Sequence, residues 1–380
     1  MKIVYYSTPS FADCDFPLIK ALRKEGHEVM YLMRLAPFSR RSTLIDIDRM
    51  DTRNAVIPAS SYPQLIEWGE YIDLDHSFVS NDTVGKTGIR SFRLFREECR
   101  IIKSFHPDYF HHVGIPFVFH LFLLWKFRKN SVCVIHDPIP HSGEKKLRNS
   151  LKMRILRRYL KKFVLLNDSQ IDVFCDTWHI PRSHVFTASL GLYDCYCRFQ
   201  REHRASCTPY TLFFGRISPY KGIDYAVEAF LNCHKEHPDI RFIIAGAGEQ
   251  YFTVPSHEDA IVFIHRYLTV HEIAEYVSQA LFVVCPYTDA TQSGVILTSL
   301  ALGTPVVATR VGNFEQVLSH GETGWLVKPK DAMALSDAFR FLLDHPERIE
   351  QMKERIRDNN TDAAHSWTVI ARGYLEIYKA

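Results

Sequence analysis

The segment LFFGRISPYKGID, residues 212–224, places two cations on one short loop. A strand pattern ends at Gly215, Arg216 and Lys221 follow it, and a helix pattern begins after Gly222. An arginine can grip two phosphate oxygens, a lysine supplies a point charge, and the first turn of a helix attracts anions. The spacing therefore predicts an anion site at the end of this strand, with a solvated loop as the alternative.

A second glycine-bearing turn follows the strand pattern IIAGAGE, residues 243–249. Gly246 and Gly248 would let a nucleotide approach the backbone closely. The segment lacks the full GxGxxG spacing of a dinucleotide site, so a plain strand-to-helix turn is the alternative.

The segment DATQSGVILTSLALGTPVVATR, residues 289–310, begins with small polar residues and continues as an apolar helix and strand. The unpaired N–H groups of a first helical turn and the helix dipole favour an anion. Gln292-Ser293-Gly294-Val295 is therefore predicted to hold a ligand, and Thr298, one turn further in, to reach a hydroxyl. The same segment contains no cation before Arg310, so Arg216 and Lys221 must supply the charge.

Strand and helix patterns alternate along the chain, lapse around 183–210, and then start again, which places the junction of two domains near 189–208. This rhythm is typical of parallel sheets covered by helices, and 380 residues are more than one core usually supports. We predict two doubly wound α/β domains. Ligands of such sheets bind at the carboxyl ends of the strands, which favours a ligand in a cleft between the domains.

Composition limits the partners and the compartment. The net charge of +3 gives no support for nucleic-acid binding, and nine scattered cysteines are typical of a reduced, cytosolic protein. The apolar run at 113–127 is too short to span a bilayer and predicts a helix buried against a sheet, with shallow membrane contact as the alternative. Residues 144–162 carry nine Lys or Arg and one Glu, which suits an anionic membrane, nucleic acid, a phosphorylated substrate or simply a solvated helix face.

Four segments taken together resemble the C-terminal half of a family 4 glycosyltransferase of the GT-B fold. They are FFGRISPYKGIDYAVEAF, IIAGAGE, VVCPY with QSGVILTSLALGTPVVATRVGNFEQVL, and GETGWLV, all within 208–330. HPDYFHHVG, CVIHDPIPHSG and TASLGLYD match more loosely. The resemblance implies two Rossmann-like domains facing across a cleft. Residues 1–188 would bind the acceptor, residues 189–365 the nucleotide-sugar donor, and the helix 366–380 would pack back on the first domain.

The resemblance also implies roles for single residues. Arg216 and Lys221 match the diphosphate-binding pair of the family. His136 matches a histidine that contacts the donor sugar, with Asp137 orienting it; a satisfied core histidine is the alternative. Arg266 and Tyr267 lie where the family meets the nucleotide base, although they also suit a surface loop.

This sequence departs from the family at three places. Ser10 and Phe11 replace two adjacent glycines, which implies a differently shaped acceptor site. The family's two glutamates, eight positions apart, are replaced by Ala290 and Thr298. Because those glutamates contact the donor sugar and the ribose in the family, the identity of the donor is not predicted. Asp289 or Gln292 would make the sugar contacts instead.

The predicted function is a metal-independent transferase that retains anomeric configuration, with a nucleoside-diphosphate sugar as substrate and no separate cofactor. The acceptor would be a glycan or a lipid-linked glycan in polysaccharide or glycoconjugate synthesis, and the basic run at 144–162 would dock on the inner face of a membrane. The Asp46/Asp48 and Asp73/Asp75 pairs follow no clear nucleotide-binding unit, so no metal site is predicted. An epimerase or hydrolase of the same fold and a non-catalytic sugar-nucleotide-binding scaffold are the alternatives.

Overall fold

Short apolar strands and amphipathic helices build two separate sheets in this chain. The computed structural model describes residues 1–37, 39–40, 42–47, 52–85, 88–136, 138, 147–200, 208–255, 259–359 and 365–380. Two compact units divide it: Met1–Gly191 with Ala364–Ala380, and Leu192–Ala363. The predicted acceptor and donor roles of the two parts stay predictions.

The first unit contains eight strands among the described residues, in the order β3-β4-β2-β1-β5-β6-β7-β8. Neighbours are parallel except β3 and β4, and Ile3 pairs with Val29 on one side of β1 and with Tyr109 on the other. The strands are β1 (Lys2–Ser7), β2 (Glu28–Leu35), β3 (Ala55–Pro58), β4 (Phe78–Asn81), β5 (Tyr109–Val113), β6 (Ser131–Ile135), β7 (Phe163–Leu165) and β8 (Val185–Thr187). The helices before the second unit are α1 (Ala12–Lys24), α2 (Pro63–Ile66), α3 (Ile89–Phe105), α4 (His120–Lys126), α5 (Leu147–Leu156) and α6 (Ile171–Trp178).

The second unit is an all-parallel sheet in the order β11-β10-β9-β12-β13-β14. Thr211 of β9 pairs with Phe242, and Val283 of β12 pairs with Val306. Its strands are β9 (Tyr210–Phe214), β10 (Arg241–Ala245), β11 (Ile261–Ile264), β12 (Val283–Cys285), β13 (Val306–Thr309) and β14 (Gly324–Val327). Its helices are α7 (Ile223–His234), α8 (Val270–Gln279), α9 (Gly294–Ala301), α10 (Phe314–Val317), α11 (Ala332–Asp344) and α12 (Pro346–Asn359).

The last helix, α13 (Trp367–Lys379), belongs to the first unit and packs on α1. The Tyr378 hydroxyl lies 2.7 Å from Nδ1 of buried His111 on β5, and the Lys162 ammonium donates to the Tyr378 carbonyl at 2.6 Å. Polar contacts with two parts of the first unit therefore fix the end of the chain.

A buried ionic cluster joins α3 and α4 to the first sheet. His120 Nε2 of α4 lies 2.8 Å from Glu98 Oε2 of α3, and both side chains are fully buried. Arg34 of β2 pairs with Asp82 and lies 4.0 Å from Glu98. Burial raises the pKa of Glu98, but His120 and Arg34 outweigh burial and lower it, so Glu98 is ionised.

The apolar run at 113–127 is less buried than the sequence predicts. Only its second half forms a helix, α4, whose Leu123 and Leu124 are buried. Phe122 and Trp125 on the same helix are 52% and 47% exposed. The prediction of a helix buried against a sheet is therefore wrong for the face of α4 that carries Phe122 and Trp125.

Candidate functional site

In the second unit, the strand order reverses between β9 and β12. The chain runs outward from β9 to β10 and β11, and then returns to place β12 on the other side of β9. Ligands of open α/β sheets bind at such a switch point, beyond the carboxyl ends of the strands. The loops after β9, β10 and β12 therefore define the candidate site, and they are the three loops that the sequence singled out.

Glycines allow these loops to touch one another. A Cβ atom on Gly246 would lie 1.7 Å from the carbonyl oxygen of Gly215, and one on Gly222 would lie 2.1 Å from that of Pro286. Gly248, at φ +146°, would meet the Ile217 carbonyl oxygen at 2.1 Å. No larger residue fits at these points without moving the backbone, so the glycines fix how closely the loops approach.

The two predicted cations both lie close to Tyr220. Arg216 donates to the Tyr220 hydroxyl at 3.3 Å, and the Lys221 ammonium lies 5.0 Å from the centre of the Tyr220 ring. The same ammonium lies 3.7 Å from the centre of the Tyr287 ring, on the loop after β12. Backbone contacts hold the two loops together, since Thr288 N–H donates to the Tyr220 carbonyl at 2.8 Å. Lys221 is thus positioned by a ring that the sequence reasoning missed.

Tyr287 also organises the start of α9. Its side chain is fully buried, and its hydroxyl accepts a hydrogen bond from Ser293 at 3.2 Å. Burial raises the pKa of Tyr287 well above its usual range, so the hydroxyl stays neutral. Ser293 occupies the N-cap position of α9 but makes no side-chain cap hydrogen bond to the helix. The N–H groups at this helix terminus therefore lack the usual serine cap.

The other residues of the predicted α9 cradle are close to the same loops. Gly294 lies against the Tyr193 ring, which a Cβ atom would meet at 2.9 Å, and the Val295 side chain lies over Gly215. Gln292 is half-buried. Thr298 is buried on the inner part of the helix, at 3% exposure.

Ala290, the position predicted to replace the first glutamate, lies in a closely packed loop. It is 8% exposed, and its carbonyl oxygen would lie 2.4 Å from a Cβ atom on Gly312, which has φ +55°. Asn313 N–H donates to the neighbouring Thr291 carbonyl at 3.3 Å. The loop after β13 thus covers this position from one side.

Arg266 has a structural partner that the sequence reasoning did not name. Its guanidinium makes two hydrogen bonds to Glu272, at 3.0 and 2.6 Å, on the first turn of α8. Glu272 also forms a capping box with Thr269. The Arg266 hydrogen bonds lower the pKa of Glu272 to about 2. Tyr267 is 61% exposed beside this pair, and the base-contact roles of both residues stay predictions.

In the first unit, the strand order reverses between β1 and β5. Phe11 follows β1, Gly114 follows β5 and His136 follows β6, so all three lie at the carboxyl edge of adjacent strands. The Phe11 and His136 rings stack with centres 4.2 Å apart, and Gly114, at φ +78°, lies under the Phe11 ring. His136, the predicted catalytic histidine, is therefore in contact with Phe11, a predicted acceptor-side residue.

Two further predicted positions of the first unit are less informative. Ser10 is exposed, and its hydroxyl lies 3.5 Å from that of Ser39. Asp137 lies outside the described residues.

The Asp73 carboxylate accepts the Asp75 N–H at 3.1 Å and contacts His76, as in a local turn. Among the described residues, no group of three or more His, Cys, Asp or Glu side chains could hold a metal ion.

Asp15 is a buried acid that no sequence pattern indicated. It lies on the first turn of α1, is fully buried, and accepts a hydrogen bond from the Tyr5 hydroxyl at 2.8 Å. Burial raises the pKa of Asp15 to about 8, so it is largely protonated at neutral pH. Tyr5 in turn stacks on His111, with ring centres 4.1 Å apart.

Solved structures define the class of fold. Anabaena HepE in complex with UDP superimposes with a TM-score of 0.69 over the whole of both chains, at 13% identity. Sucrose-phosphate synthase from Thermosynechococcus elongatus gives 0.64 over all of this chain and 98% of that one, at 16% identity. The predicted GT-B fold of two Rossmann-like units is thereby confirmed.

The second half of the chain is similar in sequence to known glycosyltransferases. Residues 208–345 match the family model described as Glycosyl transferases group 1. A D-inositol 3-phosphate glycosyltransferase of Pseudarthrobacter chlorophenolicus is 34% identical over 184 residues, 46% of this chain and 43% of the relative. An alpha-D-kanosaminyltransferase of Streptomyces kanamyceticus is 30% identical over 152 residues, 38% of this chain and 39% of the relative. The matches span less than half the length of these two relatives.

These findings confirm the predicted resemblance to a family 4 glycosyltransferase. The matched region contains the loops after β9, β10 and β12, and therefore the whole candidate site of the second unit. Within the described ranges, every helix is too short or too polar to cross a bilayer.

Proposed function

We propose that this chain is a glycosyltransferase that moves a sugar from a nucleoside diphosphate to a glycan or lipid-linked acceptor. The main support for this proposal is the arrangement of positive groups at the switch point of the second sheet. Arg216, Lys221 and the N-terminus of α9 converge there from the loops after β9 and β12. This supports a binding site for a diphosphate, which needs several positive groups on one side.

The same groups fit the chemistry of sugar transfer. As the bond from the sugar to the diphosphate breaks, negative charge grows on the leaving phosphate oxygens. Fixed cations and helix N–H groups stabilise that charge more in the transition state than in the ground state. We propose that Arg216 and Lys221 perform this role without a bound metal ion, and that the sugar keeps its anomeric configuration.

The first unit would supply the acceptor side. His136 lies at the carboxyl edge of β6, where it is proposed to contact the donor sugar. Its stacking on Phe11 fixes the ring plane, and Phe11 fills space where the family has a glycine. We propose that this filled corner selects the acceptor.

The donor is proposed to be a UDP-sugar. HepE, a neighbour in fold, has been solved with UDP and with UDP-glucose. In this chain the buried Ala290 and Thr298 would replace the acids that contact sugar and ribose in the family. The sugar would therefore be selected by other groups of the loop, with Asp289 and Gln292 as candidates within two positions of Ala290.

The test begins with binding. UDP-, GDP- and ADP-sugars are compared by thermal shift, because a bound ligand raises apparent stability. Transfer is then followed by nucleotide release and by capture of the labelled sugar. Arg216→Ala and Lys221→Ala should each lower turnover by roughly 100-fold, as for the loss of one transition-state partner.

Arg241→Ala is the matched control, because Arg241 is exposed at the opposite, amino end of β10. Near-normal turnover in both loop variants would place the diphosphate elsewhere. Donor binding without turnover on any acceptor would favour the scaffold alternative. Conversion of the donor in the absence of an acceptor would favour an epimerase or hydrolase.

We further propose a cytoplasmic enzyme that docks on a membrane through the basic run at 144–162. Lys145 and Lys146 lie outside the described residues. Arg157 donates to the Trp178 carbonyl at 3.0 Å, whereas Arg154 and Arg158 are exposed. The variant Arg154→Gln with Arg158→Gln therefore tests the charge without disturbing packing, and unchanged binding to anionic vesicles would contradict the role of this run.

A further inference from the structure

An exposed apolar surface covers the outer face of α3, the turn before α4 and α4 itself. Ile89 is 74% exposed, Phe92 46%, Val118 43%, Phe122 52% and Trp125 47%. We call these five side chains the α3–α4 surface. They account for five of the eleven large apolar side chains that are exposed among the described residues. Isolated exposed apolar residues are ordinary, but a group of this kind on neighbouring elements marks an interaction site.

The rings of this surface form one connected group. Phe92 lies 5.7 Å from Phe119, which stacks on Phe95 at 5.6 Å. Phe95 lies 6.3 Å from Phe122, which lies 5.5 Å from Trp125. The series crosses from α3 to α4 without interruption, so the exposed edges belong to a single patch.

Exposed cations lie on the same segments as this surface, whereas the next two residues of α3, Glu97 and Glu98, accept hydrogen bonds from Val56 N–H and the Ser80 hydroxyl. Within 89–96 and 115–130, six side chains carry positive charge and none carries negative charge. All six are exposed: Arg90, Arg93, Arg96, Lys126, Arg128 and Lys129. The Arg128 guanidinium lies 5.3 Å from the centre of the Trp125 ring. Aromatic side chains framed by cations are the composition of a surface that binds the headgroup region of an anionic bilayer.

The elements beneath this surface are fixed. Glu98 on the inner side of α3 contacts His120 of α4, and Arg34 connects both to the sheet. The two helices therefore present their outer faces in one arrangement before any partner binds, which lowers the entropic cost of binding.

We propose that the α3–α4 surface inserts into the interface of an anionic membrane, with Phe122 and Trp125 at the depth of the headgroups. A second copy of this chain fits less well, because a symmetric contact would bring six cations against six. Nucleic acid also fits less well, because Ile89 and Val118 are aliphatic and suit the edge of the hydrocarbon layer. This proposal does not depend on the donor chemistry, and it uses residues outside the basic run at 144–162.

The test is binding of the full chain to vesicles of phosphatidylcholine alone and of phosphatidylcholine mixed with phosphatidylglycerol. The chain should bind only the mixed vesicles, and added salt should weaken binding. Phe122→Ser with Trp125→Ser should weaken it by about tenfold or more, because buried apolar area is lost. Arg93→Gln with Arg128→Gln should also weaken it by about 30-fold, at roughly 1 kcal/mol for each of the two charges.

A fluorescence experiment places the surface directly. Lipids with brominated acyl chains should quench part of the tryptophan emission of the bound protein, and Trp125→Phe should remove that quenched part while binding persists. Met333→Ser, which removes an exposed apolar residue of α11 in the other unit, is the matched control. Thermal shifts with UDP should match those of the unchanged chain in every variant, which keeps membrane binding separate from donor binding.

Three outcomes would overturn the proposal. Vesicle binding that is equal in the unchanged chain and in the Phe122→Ser, Trp125→Ser variant would exclude the surface. A dimer in light scattering that this variant abolishes would assign the surface to a second copy. Binding to RNA that the arginine variant abolishes, without vesicle binding, would assign it to nucleic acid.

Discussion

Tyr287→Leu tests whether the cation at the switch point needs its buried aromatic support. The Lys221 ammonium lies 3.7 Å from the centre of the Tyr287 ring, and that ring is fully buried. A desolvated cation–π contact contributes about 2 kcal/mol, and each 1.4 kcal/mol changes a rate constant by about tenfold. If part of this contact fixes Lys221 in its active position, kcat/KM with the nucleotide sugar should fall about tenfold. Tyr287→Phe keeps the ring and should stay within about threefold of the unchanged chain, although loss of the Ser293 hydrogen bond lowers stability by about 1 kcal/mol.

A double-mutant cycle distinguishes this role from a general loss of packing. In a Lys221→Ala background, Tyr287→Leu should cost little more, because the ring acts through the absent ammonium. Tyr210→Leu is the matched control, since Tyr210 is buried at the amino end of β9, away from the loops. The reasoning is refuted if the two losses multiply, if Tyr287→Phe is as slow as Tyr287→Leu, or if Tyr210→Leu reduces kcat/KM equally. Nucleotide release under steady-state conditions gives all of these values.

Two further predictions concern stability. Gly246→Ala should lower the free energy of unfolding by about 2 kcal/mol or more, because its Cβ would lie 1.7 Å from the Gly215 carbonyl oxygen. Gly373→Ala in α13, where a Cβ meets open space, should leave that free energy unchanged or raise it by roughly 0.5–1 kcal/mol. Urea unfolding of both variants checks this, and equal effects would contradict it. Burial raises the pKa of Asp15 from 3.8 to about 8, so the folded chain retains a proton that the unfolded chain releases, and the free energy of unfolding should fall as pH rises between these values, by up to about 1.4 kcal/mol per pH unit. Asp15→Asn should flatten that slope in urea titrations at several pH values, and an unchanged slope would show that another group causes it.

The loops of the second unit were predictable because each depends on local sequence. The segment 212–224 encodes a buried strand, a glycine turn and the start of a helix, and 243–249 encodes a buried strand and a glycine turn. The structure places these turns after β9 and β10, and it places the start of α9 at Gly294, next to the predicted polar residues. The fold class followed from the same alternation of strands and helices.

Other features needed partners that lie far away in sequence. From the sequence, Glu272 is an ordinary residue of a helix. It becomes the partner of Arg266 because α8 begins beside the loop after β11. The stacking of Phe11 on His136 joins residues 125 positions apart, because β6 lies two strands from β1 in the sheet. The exposure of Phe122 and Trp125 contradicts the burial predicted from hydropathy. Hydropathy shows that a segment is apolar, but it does not show which of its side chains face the core.

By itself, the sequence determined two α/β units, the strand ends that carry cations and glycines, and the similarity of its second half to glycosyltransferases of group 1. Only the tertiary structure decided which of those strand ends meet. Parallel strands joined by helices can be placed on either side of their predecessor, and the choice that puts β12 beside β9 is fixed by packing over the whole sheet. That choice brings the Tyr287 ring close to the Lys221 ammonium, and so gives this loop lysine a defined position.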